Sequence, residues 1–170
     1  MTNLPPLTLE RKLDSRIWGG DTLGAWLGLE HPPTQLAESW QVYEHNQVVG
    51  GPFAGRTLAD VTAEYGAALV GARSFERYGA DFPLLAKFID AADHLSVQVH
   101  PDAEVARALG QGTRGKREAW LLLDRGPEAR VFLGVTGAPS VEQVIEQVSA
   151  GRLEGTLSSF RPEPGEAIEI

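Results

Sequence analysis

The sequence contains no cysteine among its 170 residues. That absence excludes disulfides, thiolate zinc sites and thiol nucleophiles together, so any bound metal must take nitrogen and oxygen ligands. It also fits a reducing compartment, and the expected location is cytoplasmic. Basic charge is scarce: 15 Lys+Arg stand against 23 Asp+Glu, a formal net charge of -8. Sequence-independent nucleic-acid binding needs a surplus of Lys and Arg to displace counterions from phosphates, so nucleic acid is not an expected partner. Long hydrophobic runs are missing too. Residues 1–15 hold no apolar core of signal-peptide length, and no stretch approaches the roughly 18 apolar residues of a membrane span, so no membrane partner is expected. Without repeats, low-complexity tracts or charge blocks, residues 1–170 read as a single domain.

What is present favours short strands. Hydrophobic residues make up 42% of the chain, enough to bury a core, and 19 Gly with 11 Pro suit strands joined by tight turns. Two helices are expected. Over 57–70, Leu58, Val61, Tyr65, Ala68 and Leu69 recur near a 3.6-residue period behind a Thr57/Asp60 capping box. Over 140–150, Ser140 and Gln143 form a second box ahead of the stripe Val141, Val144, Ile145 and Val148. Strands are expected over 38–45, 84–90, 95–100, 118–123, 130–135 and 167–170. The short polar connection 91–94 predicts that 84–90 and 95–100 pair as an antiparallel hairpin. Pro101 ends the second strand, Asp102 N-caps a short helix through Leu109, and Gly110, Gly112 and Gly115 make a loop. Trp18, Trp40 and Trp120 are expected in the core.

The chemistry-bearing residues flank that loop. On a strand over 95–100, Ser96, Gln98 and His100 share one face with His94, while Leu95, Val97 and Val99 share the other. Taken alone, Gln98-Val99-His100 is a weak signal, and an ordinary solvated strand face outweighs a metal site. If the polar row is covered, it must find partners, because burying such groups unpaired costs several kcal/mol. Lys116 stands two residues before Glu118, so a regular strand sends both side chains to one face. His31 and His45 read as exposed turn and strand-end residues, and His94 as a surface group at the hairpin turn.

Residues 82–102 read FPLLAKFIDAADHLSVQVHPD and residues 115–123 read GKREAWLLL. With Trp18-Gly19-Gly20, Glu38-Ser39-Trp40 and Gly55-Arg56-Thr57-Leu58, in that chain order, these segments resemble type I phosphomannose isomerase, a zinc enzyme of the cupin superfamily. The resemblance implies a mainly β fold with helices (α+β): a cupin, jelly-roll β-barrel, incomplete at the C-terminus and decorated by the helices near 57–70 and 140–150. It implies Gln98, His100 and Glu118 as zinc ligands, Lys116 as an active-site lysine, and Lys87 and Ser96 as residues facing substrate. Glu38 lies in a family motif near the pocket, where a hydrogen bond to neighbouring backbone is the expected use. The fourth zinc ligand of the family, a histidine in a PAG-x-x-H turn after a strand like 165–170, corresponds to a position beyond Ile170. The implied partner is a small sugar phosphate, with the oligomeric state left open. The implied activity is zinc-dependent interconversion of mannose 6-phosphate and fructose 6-phosphate through a cis-enediol. The alternative is a catalytically incomplete cupin fragment that binds metal or sugar phosphate weakly or serves as a scaffold.

Overall fold

The computed structural model describes residues 4–170. They gather into two compact units, one ending at Val97 and the other spanning Gln98–Ile170.

The first unit is built on an antiparallel sheet of β1 (Lys12–Gly20), β2 (Leu36–Val42) and β3 (Ala86–Ile89), with β2 in the middle. The central position explains why Leu36, Ala37, Glu38 and Ser39 are all buried: both faces of β2 are covered, so even its polar residues lie inside. The Trp18-Gly19-Gly20 motif follows from close approach. A Cβ on Gly19 would run into the Gln35 carbonyl, and one on Gly20 into the Asp90 carboxylate. That carboxylate accepts from the Thr22 N–H, the Thr22 hydroxyl and the Leu23 N–H, each at 2.8 Å, and so caps α1 (Leu23–Trp26) from a distant strand end.

A small core of Val48, Phe53 and Val61 packs beside Leu7, Leu9, Tyr65 and Leu69. The capping box forms as expected: Thr57 Oγ1 accepts from the Asp60 N–H at 3.1 Å and the Asp60 carboxylate from the Thr57 N–H at 2.9 Å. The helix expected through residue 70 is interrupted, however. α2 (Leu58–Tyr65) ends at Gly66, whose φ of 44° is left-handed, and α3 (Ala67–Val70) and α4 (Ala72–Tyr78) follow as separate short helices. The Phe75 ring lies against Gly66 where a side chain would otherwise sit, so tertiary packing overrides the local period.

The second unit contains α5 (Ala103–Ala108), β4 (Ala119–Leu121), β5 (Val131–Val135), α6 (Val141–Ser149), β6 (Leu157–Phe160) and β7 (Ala167–Glu169). β4 pairs with β7 and β5 with β6, both antiparallel. Asp102 Oδ1 N-caps α5, accepting from Glu104 and Val105 at 2.9 and 2.8 Å. Ser140 and Gln143 form the second capping box.

Mixed strands and helices bear out the α+β class, although the strands of the described residues form three separate sheets and no closed barrel. Further expectations are corrected. Residues 95–100 form no regular strand, and the hairpin with 84–90 is absent. The residues assigned to its turn are committed elsewhere: the Gly20 N–H bonds the Asp90 carbonyl at 3.1 Å, Ala91 bridges Gly19, and the Ala92 N–H bonds the Trp18 carbonyl at 2.9 Å. The chain leaving β3 is therefore drawn onto β1 rather than folded back on itself. Trp18, Trp40 and Trp120 are half-buried rather than core residues, and the indoles of the last two serve as hydrogen-bond donors to glutamates. Among the described residues no helix is long and apolar enough to cross a membrane.

Candidate functional site

In the second unit, two contacts bring the loop before β4 onto the segment that follows Val97. The Lys116 N–H donates to the Pro101 carbonyl at 3.0 Å, and a Cβ on Gly115 would lie 2.7 Å from that same oxygen. Only glycine allows so close an approach. From the other side, the Ile170 N–H donates to the Glu118 carbonyl at 2.9 Å, and Ala119 pairs with Glu169. The backbone of residues 116–118 is thus held at both ends, although the regular strand starts only at Ala119.

This arrangement brings four of the six expected site residues together. Lys116 Nζ lies 2.8 Å from Gln98 Oε1 and 3.0 Å from Glu118 Oε2. His100 Nε2 is 3.7 Å from the same Glu118 oxygen, and Trp120 Nε1 donates to the other, Oε1, at 2.6 Å. The side chain of His100 is 13% exposed and that of Glu118 21%, whereas Lys116 keeps 47%. His100 Nδ1 is buried without a hydrogen-bond partner.

An amide oxygen and a carboxylate oxygen turned toward one point make a cation site, and the Lys116 ammonium is the cation there. The donor set also fits a divalent metal that accepts nitrogen and oxygen. With bonds of about 2.1 Å, adjacent donors of a tetrahedral site stand roughly 3.4 Å apart, close to the 3.7 Å between His100 Nε2 and Glu118 Oε2. His100 Nδ1 is buried and unpartnered, so the nitrogen turned toward Glu118 is Nε2. No group of three or more His, Cys, Asp or Glu gathers among the described residues, so a metal here depends on the amide of Gln98. A cavity of about 440 Å³ lined by Val99, Pro101, Val105, Leu109 and Lys116, among others, lies beside the cluster. Its lining is mostly apolar and includes none of Gln98, His100 or Glu118, so the donor cluster is the chemically meaningful feature.

Lys87 and Ser96 belong to the first unit. Lys87 Nζ lies 2.7 Å from Glu38 Oε1, while Glu38 Oε2 accepts from Trp40 Nε1 at 2.7 Å. Glu38 thus bonds side chains and not the neighbouring backbone expected for it. The Lys12 ammonium stands 4.6 Å from the Trp40 ring centroid, on the strand position paired with Trp40. Ser96 and His94 are exposed in the irregular segment, and His31 and His45 are exposed as well. Sequence reasoning missed the indole partners of both glutamates. Their signal is the repeated Glu-x-Trp of Glu38-Ser39-Trp40 and Glu118-Ala119-Trp120, since residues two apart on extended chain share a face.

Residues 7–118 match the catalytic domain of type I phosphomannose isomerase. Over 169 residues the chain is 34% identical to a probable mannose-6-phosphate isomerase, GmuF, of Bacillus subtilis (strain 168), covering 97% of this chain and 52% of that protein. It is 31% identical to the mannose-6-phosphate isomerase of Streptococcus mutans serotype c, covering 97% and 51%. The crystal structure of the mannose 6-phosphate isomerase from Bacillus subtilis superposes with a TM-score of 0.84 at 30% identity, over 97% of this chain and 52% of that one. A putative mannosephosphate isomerase from Archaeoglobus fulgidus gives 0.81 at 25% identity, over 100% and 57%. The chain spans about half the length of the curated relatives it matches.

Proposed function

The chain belongs to the type I phosphomannose isomerase family, and on that premise we propose that its second unit carries the zinc-binding part of a site interconverting mannose 6-phosphate and fructose 6-phosphate. The observation that carries this reading is the convergence of Gln98 Oε1 and Glu118 Oε2 on the Lys116 ammonium, with His100 Nε2 beside them.

The reaction moves a proton between C2 and C1 through a cis-enediol, so negative charge develops on the O1 and O2 oxygens. Gln98, His100 and Glu118 would hold zinc with a single ligand charge; the chemistry it supplies when bound is Lewis-acid stabilisation of those oxygens. Lys116 provides a second cationic group at the same place. Its ammonium can hold the charge on a substrate oxygen or pass a proton to it, and its exposed stem lets it turn from Gln98 and Glu118 toward a ligand. The lack of cysteine supports a cytoplasmic setting.

The test is purified protein, free of host isomerase, analysed for zinc stoichiometry and for fructose 6-phosphate formation, with Glu118→Ala alongside as a contamination control. Bound zinc that vanishes in Glu118→Ala is expected, and any turnover should vanish with it. Zinc without turnover would favour a domain that binds metal or sugar phosphate without isomerising it. Undiminished zinc in Glu118→Ala would refute the metal assignment.

A further inference from the structure

We infer that Trp120 is a positioning residue for Glu118: its indole N–H holds Oε1 and thereby directs Oε2 to the cation site formed with Gln98 and His100. The inference rests on the proposed metal role of Glu118.

A carboxylate offers two oxygens and about four lone-pair directions, and a glutamate side chain turns freely unless something holds it. The indole is a donor only, so it occupies one oxygen and never competes for the metal as a ligand. At 2.6 Å this bond is short, as charge-assisted hydrogen bonds are. The opposite oxygen is the one that faces Lys116 at 3.0 Å and His100 at 3.7 Å. Trp120 itself is well anchored, paired on β4 with Ile168 of β7, a buried residue. With its backbone fixed in the ladder, the indole presents its donor to the glutamate from a defined position.

The first unit repeats the device independently. Trp40 Nε1 holds Glu38 Oε2 at 2.7 Å, and the other oxygen, Oε1, meets the Lys87 ammonium at 2.7 Å. In both places a Glu-x-Trp pair ties one carboxylate oxygen to an indole and presents the other to a cation. Two occurrences of one geometry at different cations, on different sheets, favour a shared physical cause over a chance contact.

The experiment uses Trp120→Phe, which keeps an aromatic ring and removes the donor. Zinc affinity is read by chelator competition, with thermal unfolding of the metal-free protein measured alongside. Loss of a partner that orients a metal ligand is expected to weaken zinc about 10- to 100-fold, with little change in melting temperature. A merely structural role would lower the melting temperature and leave the affinity of the folded protein intact. A second readout needs neither metal nor the Trp variant: the Trp120 indole N–H resonance in the ¹H–¹⁵N spectrum should move toward the value of a solvated indole in Glu118→Ala. Zinc affinity unchanged by Trp120→Phe, or an indole resonance indifferent to Glu118→Ala, would overturn the inference. If Glu118→Ala abolishes zinc binding while Trp120→Phe leaves it alone, the positioning role alone fails. If Glu118→Ala leaves zinc affinity as it was, the reading of the site fails and takes the inference with it.

Discussion

Replacing Lys87 by Met should destabilise the first unit more than replacing its partner Glu38 by Gln, and the double variant should recover much of the loss. Glu38 is the deeper of the two, with 9% of its side chain exposed against 24% for Lys87. Lys87→Met leaves a buried carboxylate with the Trp40 indole still bonded to one oxygen and its cation gone. Breaking a buried pair from one side costs about 3–5 kcal/mol in general, and the retained indole bond places this case near the lower end. Glu38→Gln keeps an acceptor for Trp40 and strands only an ammonium on a flexible stem that can swing to water, so about 1–2 kcal/mol is expected. With both charges removed, nothing ionic remains buried, and the double variant should cost about 1–2 kcal/mol rather than the sum of the singles. The coupling is then roughly 2–3 kcal/mol. Urea unfolding at neutral pH, followed by tryptophan fluorescence, measures all four proteins. With denaturant slopes of about 1–3 kcal/mol/M, the Lys87→Met midpoint should fall by a molar or more. Single effects that add to within about 0.5 kcal/mol would show that the 2.7 Å contact contributes nothing beyond its parts and would refute the argument.

On the proposed reading of the site, Lys116→Ala in the complete enzyme should lower isomerase turnover by about 10² or more while zinc content is retained, and Lys116→Arg should not rescue it fully; unchanged turnover would reduce Lys116 to a solvated loop residue. Gly115→Ala forces a methyl to 2.7 Å from the Pro101 carbonyl, so a stability loss of about 1–3 kcal/mol and, on the proposed metal role of Glu118, weaker zinc binding should appear together in melts and chelator titrations. A neutral result in both would mean that the 115–116 loop moves away at little cost. The Thr57 hydroxyl, and then the Thr57 N–H, hold the Asp60 carboxyl below its ordinary value of 3.8. Because the unfolded chain takes up that proton first as pH falls, the stabilisation is present above the ordinary value and is lost on acidification through the folded one. Asp60→Asn should therefore flatten the acid limb of the stability–pH curve, and an unaltered limb would count against the linkage. Thr57→Ala, which removes the N-cap itself, should cost about 1 kcal/mol at neutral pH in the same unfolding assay.

The features that sequence alone determined are those governed by neighbours a few residues away. The Thr57/Asp60 and Ser140/Gln143 capping boxes and the Asp102 N-cap form where the residue order places them, because each bonds groups two or three positions along the same chain. The Gly115–Glu118 and Gln98–His100 motifs likewise marked residues that do meet. Pairing was a different matter. The alternation of 95–100 showed which side chains share a face but carried no information about a strand partner, and the backbone groups around Asp90 went to β1 instead. β1 itself escaped notice, since Lys12–Gly20 lacks a clean alternation and gains its order by lying against β2. Gly66 ended a helix whose apolar period continued, because the Phe75 ring needed the space. The partners of Glu38 and Glu118 also required the folded chain: a short sequence repeat says that glutamate and tryptophan share a face, but only the surrounding strands and loops decide which carboxylate oxygen meets the indole and which meets the cation. Local bonds are settled by spacing along the chain, whereas ladders, close approaches and ligand geometry depend on groups distant in sequence, whose meeting is set by how the whole unit packs.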